Sequence, residues 1–363
     1  MKAIINNESL AILLATLSDA CNQRSIIPIV QNVHISVNNN VATFHQTNLN
    51  IHIVNKIECT ADGDFDILIP FFEMKKITSL CTGPVTIGEK NGFAFIQSEE
   101  DVWKVGKVDD PANYPVLPEF DSAFSFKADG TFFWSLNAAS TTVKTGDYSL
   151  GNVCLDISEN EAVIVATDTM SMFHHTHKVI SKERAKPITF APAFTKSVSA
   201  FQESTVTVGD KYIQVESGDL KVISVLSDIG YINYSAVTAT KRDPNCTVNL
   251  VDLIRAIKKV MASRSNLGFY HITFKFSKDL IKMSFKENDK EVHLDVRAET
   301  DIESTVKLNA ENLLNSLSQI PPTVQDIKLS IAGESSVVFI YPADSDDLLL
   351  MVAPIVNQQP TTK

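Results

Sequence analysis

The sequence predicts an α+β fold of three repeated domains, each a sheet-rich layer with two helices on one face. One observation behind this prediction is the order helix, strand, strand, strand, which recurs along the 363-residue chain. Another is the start of the second helix in each repeat, near residues 71, 191 and 310. This spacing of roughly 120 residues is typical of repeat architecture. The predicted domains are 1–121, 122–243 and 244–363.

The first repeat opens with apolar residues at helical spacing, which predict a helix over 7–23. Its inward stripe is formed by Ser9, Leu10, Ile12, Leu13, Leu14, Leu17 and Ala20. A second helix is predicted from Phe71, with Met74, Ile77 and Leu80 turned inward. Alternating and β-branched runs predict strands, over 33–37, 41–45, 50–58, 65–70, 84–88, 93–97 and 102–108.

The second repeat contains the clearest strand pattern of the chain, between residues 151 and 167. Val153, Leu155 and Ile157 alternate with Asn, Cys and Asp, and a polar turn separates them from the apolar run 162–166. This pattern predicts a β-hairpin, after which the chain continues in a third strand. The remaining predicted elements are helices over 130–142 and 191–201 and strands over 170–180, 187–190, 204–208, 212–216 and 220–227.

The third repeat follows the same order of elements. Apolar stripes predict helices over 249–263 and 310–320. Alternating runs predict strands over 271–277, 280–286, 292–299, 304–308, 326–332, 336–341 and 348–355. Each repeat therefore supplies two helices and a layer of strands, which is the basis of the α+β prediction.

Composition limits the class of protein. Hydrophobic residues make up 44% and charged residues 21%, as in an ordinary folded protein. No apolar run reaches the roughly 18 residues of a membrane span, and no signal peptide is evident, so we expect a cytoplasmic protein without a membrane partner. The five cysteines form no Cys-x-x-Cys pair, which argues against a disulfide framework or a zinc site. Neither common glycine-rich phosphate-binding motif occurs.

Charge separates the predicted helices from the rest of the chain. The formal net charge of −11 disfavours a nucleic-acid partner, because affinity for phosphates comes from Lys and Arg. The non-core positions of the helices are nevertheless mainly basic, with Lys75, Lys76, Lys196, Arg255, Lys258, Lys259 and Arg264. One interpretation is an ordinary solvated face on each helix. The other is that all helices face one common anionic object.

Several short motifs occur in order on the threefold repeat. They are Arg24 with Ile27-Pro28-Ile29-Val30-Gln31-Asn32, Thr47-Asn48-Leu49-Asn50, Asn113-Tyr114-Pro115-Val116-Leu117-Pro118, Ala166-Thr167-Asp168 and Ala353-Pro354-Ile355. At these motifs the chain resembles the bacterial DNA sliding clamps, the β subunit of DNA polymerase III, over nearly its full length. The resemblance implies a head-to-tail homodimer that closes into a ring, with helices lining the hole and sheets on the outside.

The resemblance also implies a function. A clamp encircles duplex DNA, slides on it without sequence preference, and tethers the DNA polymerase after a clamp loader has placed it; it has no cofactor and catalyses no reaction. A mildly basic hole inside an acidic exterior would account for the net charge. Arg24 and Tyr148 match positions near the DNA in this family. From helix placement we add Lys75, Lys76, Lys144, Lys196, Arg255, Lys258 and Lys259.

Clamps of this family also bind a linear motif of polymerase and repair proteins in an apolar pocket. Carried over by position, the pocket comprises Leu150, Thr167, Met172, Ile232, Val237, Ser336, Val352, Pro354 and Ile355. The chain departs from the family where Thr169-Met170-Ser171 replaces Gly-His-Arg, where Ile232 replaces a proline, and where the C-terminus continues over 356–363. The alternative is that these residues belong to the cores of the second and third domains.

Closure of a ring requires an edge of the first domain against the third. The nearest apolar candidates are Trp103 and Val105, on the strand before Asp109, and Val260 and Met261, at the end of the third domain's first helix. A tryptophan is a common interface anchor. An ordinary core tryptophan is the alternative.

A histidine cluster suggests a different class of function. His174, His175 and His177 lie on one predicted strand, where His175 and His177 share a face. They support a metal-dependent hydrolase as an alternative, although zinc catalysis needs a third protein ligand and no carboxylate lies between Asp168 and Lys178. Surface histidines without metal are the default expectation. A further alternative is a clamp-derived scaffold that binds proteins without encircling DNA.

Overall fold

The computed structural model describes residues 1–107, 109–121, 124–181, 186–262, 271–287 and 290–356. One order of elements occurs three times: a strand, a helix, four strands, a helix and three strands. The first repeat contains one extra two-residue strand. Its elements are β1 (Lys2–Ile5), α1 (Asn7–Leu17), β2 (Asn32–Asn38), β3 (Val41–Thr47), β4 (Ile51–Glu58), β5 (Thr60–Ala61), β6 (Phe65–Pro70), α2 (Phe71–Thr78), β7 (Val85–Lys90), β8 (Phe93–Ser98) and β9 (Asp101–Lys107).

The other two repeats follow the same order. The second comprises β10 (Phe124–Ala128), α3 (Gly130–Ser140), β11 (Val153–Ile157), β12 (Glu161–Thr167), β13 (Ser171–Lys178), β14 (Ile188–Phe190), α4 (Pro192–Val198), β15 (Ser204–Val208), β16 (Tyr212–Ser217) and β17 (Leu220–Val225). A short helix, α5 (Ser235–Thr238), lies in the connector that follows. The third comprises β18 (Cys246–Asn249), α6 (Leu250–Met261), β19 (His271–Ser277), β20 (Leu280–Glu287), β21 (Lys290–Thr300), β22 (Ser304–Asn309), α7 (Ala310–Ser318), β23 (Asp326–Ser330), β24 (Val338–Pro342) and β25 (Leu348–Val352).

The chain divides into two compact units. The first, Met1–Trp134 with Ala193–Ser227, holds a five-stranded sheet of order β5-β1-β7-β8-β9 and an eight-stranded sheet of order β10-β15-β16-β17-β4-β3-β2-β6. The second, Ser135–Pro192 with Asp228–Lys363, holds a twelve-stranded sheet of order β14-β11-β12-β13-β25-β24-β23-β18-β21-β20-β19-β22. The eight- and twelve-stranded sheets each join strands from two consecutive repeats. The threefold repeat is therefore confirmed, while the boundaries 1–121, 122–243 and 244–363 stay predictions.

The long helices place one apolar face against the sheets. In α6 the buried residues are Leu250, Leu253, Ala256, Ile257 and Val260, and their spacing is that of a single helical stripe. Three helices begin after an asparagine whose side-chain oxygen accepts backbone N–H groups, Asn6 for α1, Asn249 for α6 and Asn309 for α7. In the described part of the chain, no helix has the length and apolarity to span a membrane.

Three side chains predicted to face inward, those of Ser9, Ile12 and Leu80, are exposed. Ile12 is 70% exposed because the buried leucines of α1 lie on the opposite side of that helix. Leu80 is 72% exposed because α2 ends at Thr78, before the next inward position is reached. The predicted first helix is also shorter than expected, since α1 ends at Leu17 and one 3₁₀ turn, Ser18–Ala20, follows it. The opening strands β1, β10 and β18 and the helix α5 were not predicted.

Candidate functional site

The predicted pocket residues of the second unit meet at the end of the β12–β13 hairpin. Thr167 of β12 lies opposite Met172 of β13, and Ser171 of β13 lies opposite Val352 of β25. Just beyond β25, Pro354 forms a bridge with β22. Strands from the second and third repeats thus bring predicted pocket residues together.

The turn between β12 and β13, residues 167–171, is here called the pocket loop. Thr167 Oγ1 donates to the backbone oxygen of Ser171 at 2.6 Å and accepts from the N–H of Thr169 at 3.1 Å. Asp168 Oδ1 accepts from the N–H groups of Met170 at 2.8 Å and Ser171 at 2.6 Å. Thr169 has φ +80°, in the left-handed region. These bonds hold the turn with Thr-Met-Ser in the place of the family's Gly-His-Arg.

Two tyrosines of the connector that contains α5 pack onto one face of the twelve-stranded sheet. Tyr231 Oη accepts from the N–H of Thr167 at 3.1 Å, and Tyr234 Oη donates to Asp156 Oδ2 at 2.6 Å. Tyr231 and Val237 pack against a buried cluster formed by Cys154, Val165, Met172, Tyr234, Phe339, Tyr341, Leu349 and Met351. Both tyrosines were missed in the sequence, where aromatic residues in a short polar connector were the available signal.

The nine predicted pocket residues divide into a buried floor and an accessible rim. The buried members are Leu150, Thr167, Met172 and Val352. Ile232 is 40% exposed, and Met170 of the pocket loop, which was not predicted, is 39% exposed. The half-buried members are Val237, Ser336, Pro354 and Ile355. The core interpretation therefore applies to the floor, and binding of a peptide at the rim stays a prediction.

Burial also decides the protonation of the site. It raises the pKa of Tyr231, with the neighbouring Cys154 adding to the rise. It raises the pKa of Tyr234, and the hydrogen bond to Asp156 acts in the same direction. Burial likewise raises the pKa of the Cys154 thiol. All three groups are neutral near pH 7, so this site is suited to binding an apolar ligand rather than to nucleophilic chemistry.

The predicted DNA-binding lysines of α2 and α4 are exposed, and two of them have a local partner. Lys75 Nζ donates to Ser18 Oγ at 2.6 Å, and Lys196 Nζ lies 3.0 Å from Asp19 Oδ1. Lys76 forms no ion pair with any residue that the structure describes. The positive charge of Lys196 is thus partly offset, while that of Lys76 is fully available.

The basic residues of α6 share the exposed face of that helix. Arg255 pairs with Asp252 at 2.9 Å, while Lys258 and Lys259 extend into solvent. They border a shallow depression of about 470 Å³ whose apolar lining includes Val251. This is the densest basic surface on any described helix. Arg264, which belongs to the same predicted group, lies outside the described residues.

Arg24, Lys144 and Tyr148 lie in loops rather than on helices. Tyr148 is 85% exposed, and Arg24 is also exposed. Lys144 Nζ is 3.6 Å from Asp147 Oδ2. Hydrogen bonds from the N–H groups of Leu150 and Ser149 lower the pKa of the Asp147 carboxyl, so it remains ionised beside Lys144.

Basic residues occur on half of the long helices that the structure describes. The sequences of α1, α3 and α7 contain neither Lys nor Arg. Basic residues are confined to α2, α4 and α6. An anionic partner that contacted all the long helices would therefore meet both basic and neutral ones. Contact with DNA stays a prediction for each of the predicted DNA-binding residues.

Two of the four predicted interface side chains are buried within their own unit. Val105 is 6% exposed and Val260 is fully buried, because each forms part of an apolar face that packs inward. Trp103 and Met261 are partly exposed. The interface stays a prediction for all four residues, and Trp103 and Met261 are the two whose side chains are accessible to a second copy.

The histidines on β13 make internal contacts, contrary to the default expectation of surface residues. Ser135 Oγ lies 2.7 Å from His175 Nδ1 and 3.0 Å from His177 Nε2, and His175 is 8% exposed. His174 lies on the other face of the strand, with its ring 5.9 Å from that of Tyr234. Among the described residues, no group of three or more His, Cys, Asp or Glu side chains is placed to hold a metal ion. The geometry of the described part gives the hydrolase alternative no support.

Comparison with known proteins supports the fold. No family model matches the chain. The "Beta sliding clamp" of Chlamydia muridarum (strain MoPn / Nigg) is 22% identical over 292 residues, covering 76% of this chain and 78% of that protein. The DNA polymerase III subunit beta of Pseudomonas aeruginosa has a TM-score of 0.89 at 18% identity, covering 98% of this chain and all of that one.

A second solved structure agrees with the first. The DNA polymerase sliding clamp of Bacillus subtilis has a TM-score of 0.89 at 16% identity, covering 98% of this chain and 99% of that chain. At these identities the structural likeness establishes the fold. The chain has the sliding-clamp fold over nearly its whole length, as the resemblance of its motifs predicted.

Proposed function

We propose that the chain is a processivity factor for a DNA polymerase. In this proposal two copies join head to tail into a ring that encircles duplex DNA, slides on it, and tethers the polymerase and the clamp loader. The observation that carries the proposal is the sliding-clamp fold over 98% of the chain, found in proteins named as clamps or as DNA polymerase III beta subunits. Such a protein works in the cytoplasm, without cofactor and without catalysis.

The distribution of charge supports sliding rather than tight binding. Lys196 and Arg255 each have an acidic neighbour, and α1, α3 and α7 carry no cation. Because the affinity for the DNA backbone grows with the number of neutralised phosphates, a sparse basic lining favours weak and mobile contacts. Retention would then depend on closure of the ring.

The pocket of the second unit supports attachment of partners. Its rim offers apolar side chains around a rigid loop, and its floor is neutral and packed. A short peptide with a few apolar anchors suits such a site, because a small number of buried anchors supplies most of the binding energy. We propose that the polymerase and the loader use peptides of this kind.

The proposed clamp function is tested by two kinds of measurement, the oligomeric state of the protein and its retention on circular DNA. Analytical ultracentrifugation at micromolar concentration is expected to show a dimer, and particle images are expected to show a central hole wide enough for duplex DNA. After loading by a bacterial clamp loader and ATP, the protein is expected to remain on nicked circular plasmid during gel filtration. Linearised plasmid of the same sequence is the control and should lose the protein.

The neutral helices favour one other candidate, a clamp-derived scaffold that binds proteins without encircling DNA. A monomer at micromolar concentration that still bound peptides at the pocket would support the scaffold and exclude the ring. A dimer released equally from circular and linear plasmid would also contradict the proposed topological hold.

A further inference from the structure

The first unit contains a turn with the same hydrogen bonds as the pocket loop. Thr47 Oγ1 donates to the backbone oxygen of Ile51 at 2.8 Å and accepts from the N–H of Leu49 at 2.9 Å. Asn48 Oδ1 accepts from the N–H groups of Asn50 at 3.0 Å and Ile51 at 2.9 Å. Leu49 has φ +76°, close to the +80° of Thr169. Each residue of this turn precedes its counterpart in the pocket loop by one repeat.

The strand beside the turn also has a counterpart in the second unit. In the second unit, the N–H of Ala353 after β25 donates to the backbone oxygen of Met170 at 2.7 Å. In the first unit, the N–H of Val225 at the end of β17 donates to the backbone oxygen of Asn50 at 2.9 Å. β17 pairs with β4 next to the turn, as β25 pairs with β13. The junction of two repeats that builds the pocket in the second unit thus has a counterpart in the first.

A tyrosine from a connector covers this sheet face as well. Tyr114 Oη donates to the backbone oxygen of Asn32 at 3.0 Å, and its ring packs edge-on against His45 at 5.2 Å. In sequence, Tyr114 precedes Tyr234 by the repeat length. Leu117 of the same connector is 39% exposed, and Leu49 on the turn is 41% exposed. Each turn therefore offers one accessible apolar side chain, Leu49 here and Met170 in the pocket loop.

The floor differs from that of the second unit. His45 and His52, each 6% exposed, stand where the second unit has Val165 and Met172. His45 Nε2 is 3.1 Å from His52 Nδ1. Burial lowers the pKa of both rings, so both are neutral near pH 7. A neutral imidazole pair makes the floor polar but uncharged.

A lysine adds a positive charge at the edge of the site. Leu226 follows β17, is 7% exposed, and donates through its N–H to the backbone oxygen of Lys211 at 2.8 Å. The Lys211 side chain is exposed and forms no ion pair with a residue that the structure describes. Because the Lys211 backbone is bonded to that of Leu226, a cation lies beside the strand end that borders the turn, and an acidic residue of a ligand would be attracted to it.

We propose that this surface, defined by Leu49, Leu117, Leu226 and the His45–His52 floor, is a second binding site for linear peptides. Its occupant is a short unfolded segment of a partner protein that carries aliphatic anchors and one acidic residue. The inference rests on the proposed function, because it assumes that the pocket of the second unit is a peptide site. A clamp with two such sites per chain could hold two partners, or two motifs of one partner, at once.

A library of random seven-residue peptides displayed on phage tests the proposal without a known ligand. Selection on the full-length protein is followed by sorting on Leu49→Glu and on Ile232→Glu, which place a carboxylate on the rim of the first and the second site. Leu80→Glu is the matched control, because Leu80 is exposed in the same unit as Leu49. Two classes of peptide are expected, each losing roughly tenfold or more in affinity with only one of the two rim variants.

Fluorescence anisotropy of synthetic peptides from each class then gives the dissociation constants. The second site is supported if one class of peptides loses affinity for Leu49→Glu and keeps its affinity for Ile232→Glu. Acidic peptides of this class should also bind more weakly to Lys211→Ala. If every selected peptide depends on Ile232 alone, the second site is excluded and the proposed function stands. If every peptide depends on Leu49 alone, the pocket of the second unit fails instead. Equal loss with Leu80→Glu, or no selected peptide at all, would count against both sites.

Discussion

At the scale of single residues, His45 and His52 form a buried pair of imidazoles whose protonation changes on folding. Their rings stack at a centroid separation of 5.3 Å between β3 and β4. Burial lowers the pKa of His45 to about 3, with His52 and His34 adding to the effect, and it lowers the pKa of His52 to about 4. Both groups ordinarily titrate at 6.5. The folded chain therefore binds fewer protons here than the unfolded chain does at mildly acidic pH.

This difference predicts a pH dependence of stability. Because the pKa values are lowered on folding, the stabilisation is complete above pH 6.5 and is lost as the pH falls from 6.5 through 4 toward 3. Each pKa unit corresponds to about 1.4 kcal/mol, so we expect a loss on the order of a few kcal/mol in the free energy of unfolding. Urea unfolding at a series of pH values measures it. The double variant His45→Val/His52→Met should flatten this slope, and an unchanged slope would contradict the prediction.

The hydroxyl group of Tyr231 allows a second test of stability, in which a single oxygen atom is removed. Tyr231→Phe removes the hydroxyl oxygen that accepts from the N–H of Thr167 at 3.1 Å. Because that N–H is partly buried, leaving it without this partner should cost about 1–3 kcal/mol in the free energy of unfolding. Urea unfolding at pH 7 gives the change. Tyr148→Phe removes the same atom from a side chain that is 85% exposed and should leave stability unchanged. Equal changes in the free energy of unfolding for the two variants would contradict a stabilising hydrogen bond between Thr167 and Tyr231.

At the scale of elements, most strands were predictable, and the strand that opens each repeat was not. The hairpin of β11 and β12 follows from alternation of apolar and polar residues, and β15 and β19 were predicted with their observed bounds. By contrast β1 and β18 have four residues each and lead into a helix, so their two periods of alternation are at the lower limit of what predicts a strand. Helix ends depend on caps and 3₁₀ turns, which is why α1 stops before the predicted residue 23.

The candidate site was predictable only in part, for a similar reason. Motif positions identified Thr167 and Met172 because both lie in a short continuous segment. Tyr231 and Asp156 were not predicted, since their roles depend on hydrogen bonds between residues 64 and 78 positions apart. The burial of Val105 and Val260 likewise follows from packing against other elements rather than from local sequence.

The basic face of α6 gives a prediction for this element. Lys258→Glu/Lys259→Glu should weaken binding of duplex DNA and reduce the slope of log K against log salt by about 2, since each contacted phosphate contributes about one unit. Fluorescence anisotropy of a labelled duplex at several salt concentrations measures both quantities. Lys275→Glu/Lys282→Glu is the control, because these paired, exposed lysines lie on β19 and β20 of the same unit. Equal losses in the two variants would show that only net charge matters.

At the scale of the whole molecule, the three repeats are alike in order but unlike in surface. Among the described helices, the basic residues lie on α2, α4 and α6, one long helix from each repeat, while the net charge of the chain is −11. A ring made of two copies would place six such helices around one axis, and weak contacts from each would add along the DNA. Closure of the ring is therefore the property on which the proposed function depends.

Trp103 and Met261 provide the test of closure. Trp103 is partly exposed on β9, the edge strand of the five-stranded sheet, and Met261 is partly exposed at the end of α6. A carboxylate at either position would have to be desolvated at an apolar interface, so Trp103→Glu and Met261→Glu are each expected to shift the dimer toward monomer by at least about tenfold in dissociation constant.

Sedimentation equilibrium measures this shift, and circular dichroism verifies that each variant is folded. Val102→Glu is the matched control, because Val102 is 59% exposed on the opposite face of the same strand. The variants that become monomeric should also lose retention on circular plasmid, while Val102→Glu keeps it. If folded Trp103→Glu and Met261→Glu proteins both remain dimers, the two copies join through other surfaces. A dimer that formed in this way could not be the head-to-tail ring proposed from these two edges.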